Sequence, residues 1–199
     1  MNILTDILPS KIEHNGSTFE LETDYRAAVK MAVMIEKGEK DPFELCKPFF
    51  PNGFPNDIQG MVDAVIYFFR GGENPTEKEE KETPKPQNNK PTWSFIVDSE
   101  AIYSDFWRYY NIDLATANLH WWTFKSLLWG LCTDSNFKMR IYYRTVKLSD
   151  LPKGERKRIA SIRKEIEIKT AETGGKMTLE QRNNTMLDYV MKRGKETRG

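Results

Sequence analysis

The run Leu119-His120-Trp121-Trp122-Thr123-Phe124-Lys125-Ser126-Leu127-Leu128-Trp129-Gly130-Leu131 constrains this chain more than any other stretch, because it holds three of the five tryptophans. Wound as a helix, it places Trp121, Phe124, Leu127, Leu128, Leu131 and Cys132 on one broad face. Trp122 and Trp129, seven residues apart, share a second stripe. Thr123, Ser126 and Gly130 form a narrow line of small residues where a neighbour is expected to approach closely. A helix apolar over so much of its circumference has to be buried between other elements.

A chain of 199 residues is long enough to bury such a helix without covalent staples. Thirty basic against 29 acidic residues leave a net charge of +1, which gives no electrostatic pointer to nucleic acid or to an anionic membrane. Cys46 and Cys132 both sit in apolar patterns and are expected as buried free thiols, as in a reducing compartment. The opening Met1–Asp6 lacks a basic region ahead of an apolar run, and no stretch reaches the ~20 apolar residues of a membrane helix. The expectation is a soluble intracellular protein.

Local signals predict a mainly α fold with one short N-terminal β-hairpin. Asn15-Gly16 is a type I′ turn signal that sets Ile12 opposite Phe19 and Lys11 opposite Glu20. Thr23 or Asp24 caps a helix to about Lys37, and Asp41-Pro42 starts a short one before Pro48. Asn56 or Asp57 opens a third, closed by Gly71-Gly72. Ser99 is expected to cap a helix through Tyr110, and Asp134 or Ser135 one through about Arg144. Glu155 to about Thr173 reads as a charged helix with a thin stripe at Ile159, Ile162 and Ile166. Thr178-Leu179-Glu180-Gln181 is a capping box for a final amphipathic helix carrying Met186, Leu187 and Val190.

One compositional break interrupts this pattern. Residues 73–92 hold Glu, Lys, Pro and Asn with no aliphatic or aromatic side chain, so burial cannot offset their ordering entropy. The expected organisation is a hairpin with helices over 1–72, a mobile charged linker over 73–92, an aromatic-rich helical core over 93–177 and a C-terminal helix and tail over 178–199. The linker either separates two domains or is a loop within one; the thin core that some 70 N-terminal residues can build favours the loop.

Residues for catalysis are scarce. His14 and His120 are the only histidines, and no Cys-x-x-Cys, His-x-x-x-His or His-Glu-x-x-His spacing accompanies them, so no metal or cofactor site is expected. His120 reads as a structural, hydrogen-bonding residue. Asp98, Asp105 and Asp113 near the aromatic helices are better explained as caps or solvated groups than as paired acids. No glycine-rich phosphate loop occurs. Lys125, three residues after Trp122 and four before Trp129, is placed either for a cation–π contact or to lay its stem along the rings. Lys153 to Lys169 carries seven basic and three acidic residues, but without interleaved aromatics a solvated helix face outweighs phosphate binding. The chain is expected not to be an enzyme.

Ser94-Phe95, Asp98, Ile102, Phe106, Tyr109, Ile112-Asp113-Leu114, then Leu119-His120-Trp121-Trp122-x-Phe124-Lys125-x-Leu127-x-x-Gly130-Leu131 and Tyr143-Arg144 resemble the bacteriophage gene product fifteen family. Leu21-x-Thr23-Asp24-Tyr25-Arg26 resembles the same family's strand and helix start. The resemblance implies a protein of tailed phages and prophages of Gram-positive bacteria, encoded just before the tape-measure gene. By that position it implies a tail assembly chaperone in the host cytoplasm, with the tape-measure protein or other tail proteins as partners. The alternative is a structural tail protein retained in the virion, and self-association stays open. For such a partner the sequence nominates Ile159, Ile162 and Ile166, with Trp122 and Trp129.

Overall fold

Lys11–His14 (β1) and Ser17–Glu20 (β2) pair antiparallel, with Lys11 opposite Glu20 and Ile12 opposite Phe19 as the turn signal requires. Gly16 takes the positive φ, 80°, that such a turn needs. Ile12 and Phe19 are buried, and the hairpin packs by that face on helices. The computed structural model describes residues 2–14, 16–73 and 91–169. The expected linker falls largely on residues 74–90, and the expected final helix on residues beyond 169; both lie outside the described residues.

Seven α-helices follow the hairpin among the described residues: α1 Tyr25–Glu36, α2 Pro42–Cys46, α3 Ile58–Arg70, α4 Ser99–Tyr110, α5 Trp121–Gly130, α6 Asn136–Thr145 and α7 Lys153–Glu165. The fold is mainly α with one hairpin. Asp24, Asp41, Asp57 and Ser135 cap α1, α2, α3 and α6 through their side chains. Gly71 ends α3 in the left-handed conformation at φ 90°. Phe49, Phe68, Phe106, Phe124, Phe137, Met31 and Met61 are fully buried. Residues from Ile12 to Phe68 and from Phe95 to Phe137, on both sides of 74–90, form one hydrophobic cluster. No helix among the described residues is long and apolar enough to cross a membrane.

The Thr23-Asp24-Tyr25-Arg26 motif fastens the N-terminal part to α5. The backbone N–H of Tyr25 donates to Leu119 O at 2.9 Å, and that of Trp121 donates to Thr23 O at 2.9 Å. The Tyr25 hydroxyl donates to Leu114 O at 2.6 Å. Arg26, paired with Asp24 at 3.0 Å, donates to the carbonyls of Leu114, Ala115 and Ala117 and so pins the loop before α5. The guanidinium carries five N–H donors in a rigid planar fork, which fixes the carbonyls and the Asp24 carboxylate relative to one another more closely than the three rotatable donors of an ammonium could.

Four sequence expectations need correction. Asp98, not Ser99, is the N-cap residue of α4, and its carboxylate does not cap the helix. It is fully buried and turned to Arg144 at 2.7 Å and Arg140 at 3.2 Å. Cys132 is exposed, because α5 stops at Gly130 and Leu131 takes the last buried position; Cys46 is buried, and burial pushes its thiol up to about 12. The charged helix ends at Glu165 rather than near Thr173, with the Arg144 Nε–H donating to the Ile166 carbonyl at the exit. The small-residue line does not receive a helix: Ser126 and Gly130 are exposed. At Gly130 the neighbour is the Tyr110 hydroxyl, which donates to Leu127 O at 2.8 Å and lies 3.4 Å from where a Gly130 Cβ would stand.

Candidate functional site

The last carbonyls of a helix have no partner within it. In α3 three of them in succession are met by side chains of α5. The indole N–H of Trp122 donates to Phe68 O at 2.6 Å, that of Trp121 to Phe69 O at 2.9 Å, and the Lys125 ammonium to Arg70 O at 2.7 Å. A cation at that end also complements the helix dipole. Burial is the main influence on Lys125 and lowers its pKa; nearby Glu73 opposes that shift. Lys125 therefore serves as a cap. The cation against Trp129 is Lys138 instead, its Nζ 4.9 Å from the ring centroid.

His120 completes the arrangement at the start of α5. Its Nδ1 accepts the Trp122 backbone N–H at 3.1 Å, so Nε2 carries the hydrogen donated to Pro9 O at 3.1 Å. Burial lowers its pKa from the ordinary value, against the opposing effect of the Pro9 contact. A folded-state pKa below the unfolded one makes the stabilisation complete above about pH 6.5, and it is lost as pH falls from there through the folded pKa. We expect the melting temperature to drop between pH 7.5 and 5.5, with a smaller drop in His120→Asn, which keeps a capping side chain without the titration. Equal pH slopes in the two proteins would refute this role.

Beside these caps lies a cleft of about 330 Å³ bordered by Ile3, Gly71, Trp122, Lys125, Ser126 and Trp129. Trp122 and Trp129 thus meet at one place, but unequally. Trp122 is 6 % exposed and belongs to the core, whereas Trp129 is 44 % exposed. The Trp129 ring is held edge-on by Trp93 at 5.6 Å and tilted against Phe137 at 6.1 Å. Exposed Leu4 and Ile7 lie on the N-terminal segment that supplies Ile3. The nominated isoleucines stand elsewhere, on or just after α7. Ile159 and Ile166 are buried by the chain itself and only Ile162 is partly open, so this stripe is largely covered.

Two arrangements escaped the sequence reading. Glu36, in the last turn of α1, accepts from the Ser94 hydroxyl and from the Phe95 N–H at 2.7 Å, and burial raises its pKa. Asp105, fully buried, accepts from the N–H groups of Asn136 at 3.1 Å and Phe137 at 2.7 Å at the start of α6. A lone acid on a helix carries no sign of which distant backbone it will meet. Among the described residues no group of three or more His, Cys, Asp or Glu side chains is placed to hold a metal ion.

The residues that set this chain apart, from Asp24-Tyr25-Arg26 to His120-Trp121-Trp122 and Lys125, are therefore those that lock its parts together. A family model described as bacteriophage Gp15 protein matches residues 4–185, which include all of them. The chain belongs to the bacteriophage Gp15 family. No curated protein and no solved structure matches it. In this Gp15-family chain the signature residues are chiefly architectural, and Trp129 is the one signature-helix tryptophan that keeps an open face.

Proposed function

We propose that this chain is a non-enzymatic tail assembly chaperone of the host cytoplasm. It covers an apolar helical stripe of the tape-measure protein until tail-tube subunits polymerise around it. The phage context comes from the family, and the observation that carries the contact is Trp129. Its ring is pre-ordered by Trp93, Phe137 and Lys138 and still 44 % exposed, in a cleft it shares with the exposed side chain of Ile3. A large aromatic already fixed in place loses little freedom on binding, and such residues dominate interface energetics. An amphipathic helix laid against this cleft would bury its stripe there.

The test is co-expression with the neighbouring tape-measure protein, followed by pull-down at low and high salt. The complex is expected at both salts, with recovery falling about tenfold in Trp129→Ala. A tape-measure protein that is soluble alone, or that never co-purifies, refutes the proposal. A steep loss with salt would move the contact to the exposed cations Lys153, Lys157, Arg158 and Lys164 of α7. Presence at fixed copy number in purified particles would make it a structural tail protein instead.

A further inference from the structure

A second concavity lies on another face of the protein. It is a groove of about 440 Å³ between α1 and α4, and its lining includes Tyr25, Val29, Ile102, Tyr103, Leu114 and Phe124. Its floor is aromatic, with the Tyr25 and Phe124 rings stacked at 4.5 Å. Its lips, Ser99, Glu100 and Ala115, are exposed. The floor is rigid, since the Tyr25 hydroxyl and the Arg26 guanidinium both hold the loop that supplies Leu114 and Ala115. A preformed apolar groove with a polar lip suits the apolar face of a short helix.

We propose that residues 178–193 of this same chain dock there as an amphipathic helix. The described chain leaves α7 close to the groove. The Arg144 side chain that holds the Ile166 carbonyl at 2.9 Å also holds Asp98 at 2.7 Å, and the next residue, Ser99, is on the groove lip. From Ile166 to Thr178 the chain can span about 40 Å when extended, far more than the width of one helix. The segment has the matching chemistry. Thr178-x-x-Gln181 is a capping-box pattern in the sequence, and at helical spacing Leu179, Met186, Leu187, Val190 and Met191 would share one side. Lys192 and Arg193 follow the apolar run, and Glu100 stands on the lip. A covalent tether raises the effective concentration of the segment at the groove, so a small contact area suffices. The inference does not depend on the tail-assembly role.

Hydrogen exchange on the full chain tests it. Amides of 178–193 are expected to be protected and to exchange at least about tenfold faster in Ala115→Arg, which fills the groove from its lip, and in the double variant Met186→Asp, Leu187→Asp. Amides of α5 should keep their protection in both variants, which shows an intact fold. If Ala115→Arg does not fold, Ser99→Arg obstructs the groove from the opposite lip and the same loss is expected. Three results overturn the proposal: an unprotected segment in the native chain, protection unchanged by either groove variant, or protection that grows with protein concentration. The last would place the segment on a second copy.

Discussion

Arg144→Ala is expected to lower the unfolding free energy by about 3–5 kcal/mol, the cost of removing one partner from a buried ion pair. The Arg144 side chain is 7 % exposed and that of Asp98 is 0 %. Its two terminal nitrogens grip both Asp98 oxygens at 2.7 Å, while NH1 and Nε also donate to the carbonyls of Thr92 and Ile166. One guanidinium thus joins the start of α4, α6, the exit of α7 and the chain re-entering after 74–90. Arg140 at 3.2 Å and the Ser94 N–H at 3.0 Å remain on Asp98 in the variant, which places the loss toward the lower end. Arg144→Lys is not expected to rescue, because one ammonium cannot span two carboxylate oxygens and two carbonyls. Urea denaturation measures both, and an Arg144→Ala midpoint equal to that of the parent would show that the clasp contributes nothing.

Trp122→Ala is expected to cost about 3–5 kcal/mol as well, through a different route. The indole is 6 % exposed and stacks on Phe68 with centroids 5.8 Å apart. It also fills the space above Gly72, where a Cβ would stand 2.8 Å from the ring at a φ of 84°. Truncation leaves a cavity and removes one of the two donors to the Phe68 carbonyl, which keeps the Gly71 N–H at 3.0 Å. Trp122→Phe keeps most of the ring and loses only the hydrogen bond, so its cost should be about 1 kcal/mol. Comparable losses in the two variants would mean that the cap, not the packing, carries Trp122. A Trp122→Ala protein of parental stability with lost partner binding would move Trp122 to the interaction surface.

The contrast between Trp122 and Trp129 shows where sequence reading stops. Both lie on one stripe, seven residues apart, and helical periodicity treats them alike. The end of α3 arrives over the first and not the second. The same limit applies to Ile159 and Ile166, which look like a free stripe on a charged helix until the chain's own packing covers them. Cys132 fails in the opposite sense, exposed because the helix ends two residues before it.

What the sequence determined by itself is local. Hairpin register, four side-chain caps, the glycine stop of α3 and the mainly α character all depend on interactions within a few residues, so they can be read from spacing and residue type. The family was legible too, because the His-Trp-Trp-x-Phe-Lys run is specific, although its physical meaning was not. Only the tertiary structure decided that Trp121, Trp122 and Lys125 close the end of a helix more than fifty residues earlier, or that Asp98 meets Arg144 instead of capping α4. Those partners are set by how helices pack, and an orphan carbonyl or a buried acid leaves no mark in the sequence of the group that will satisfy it.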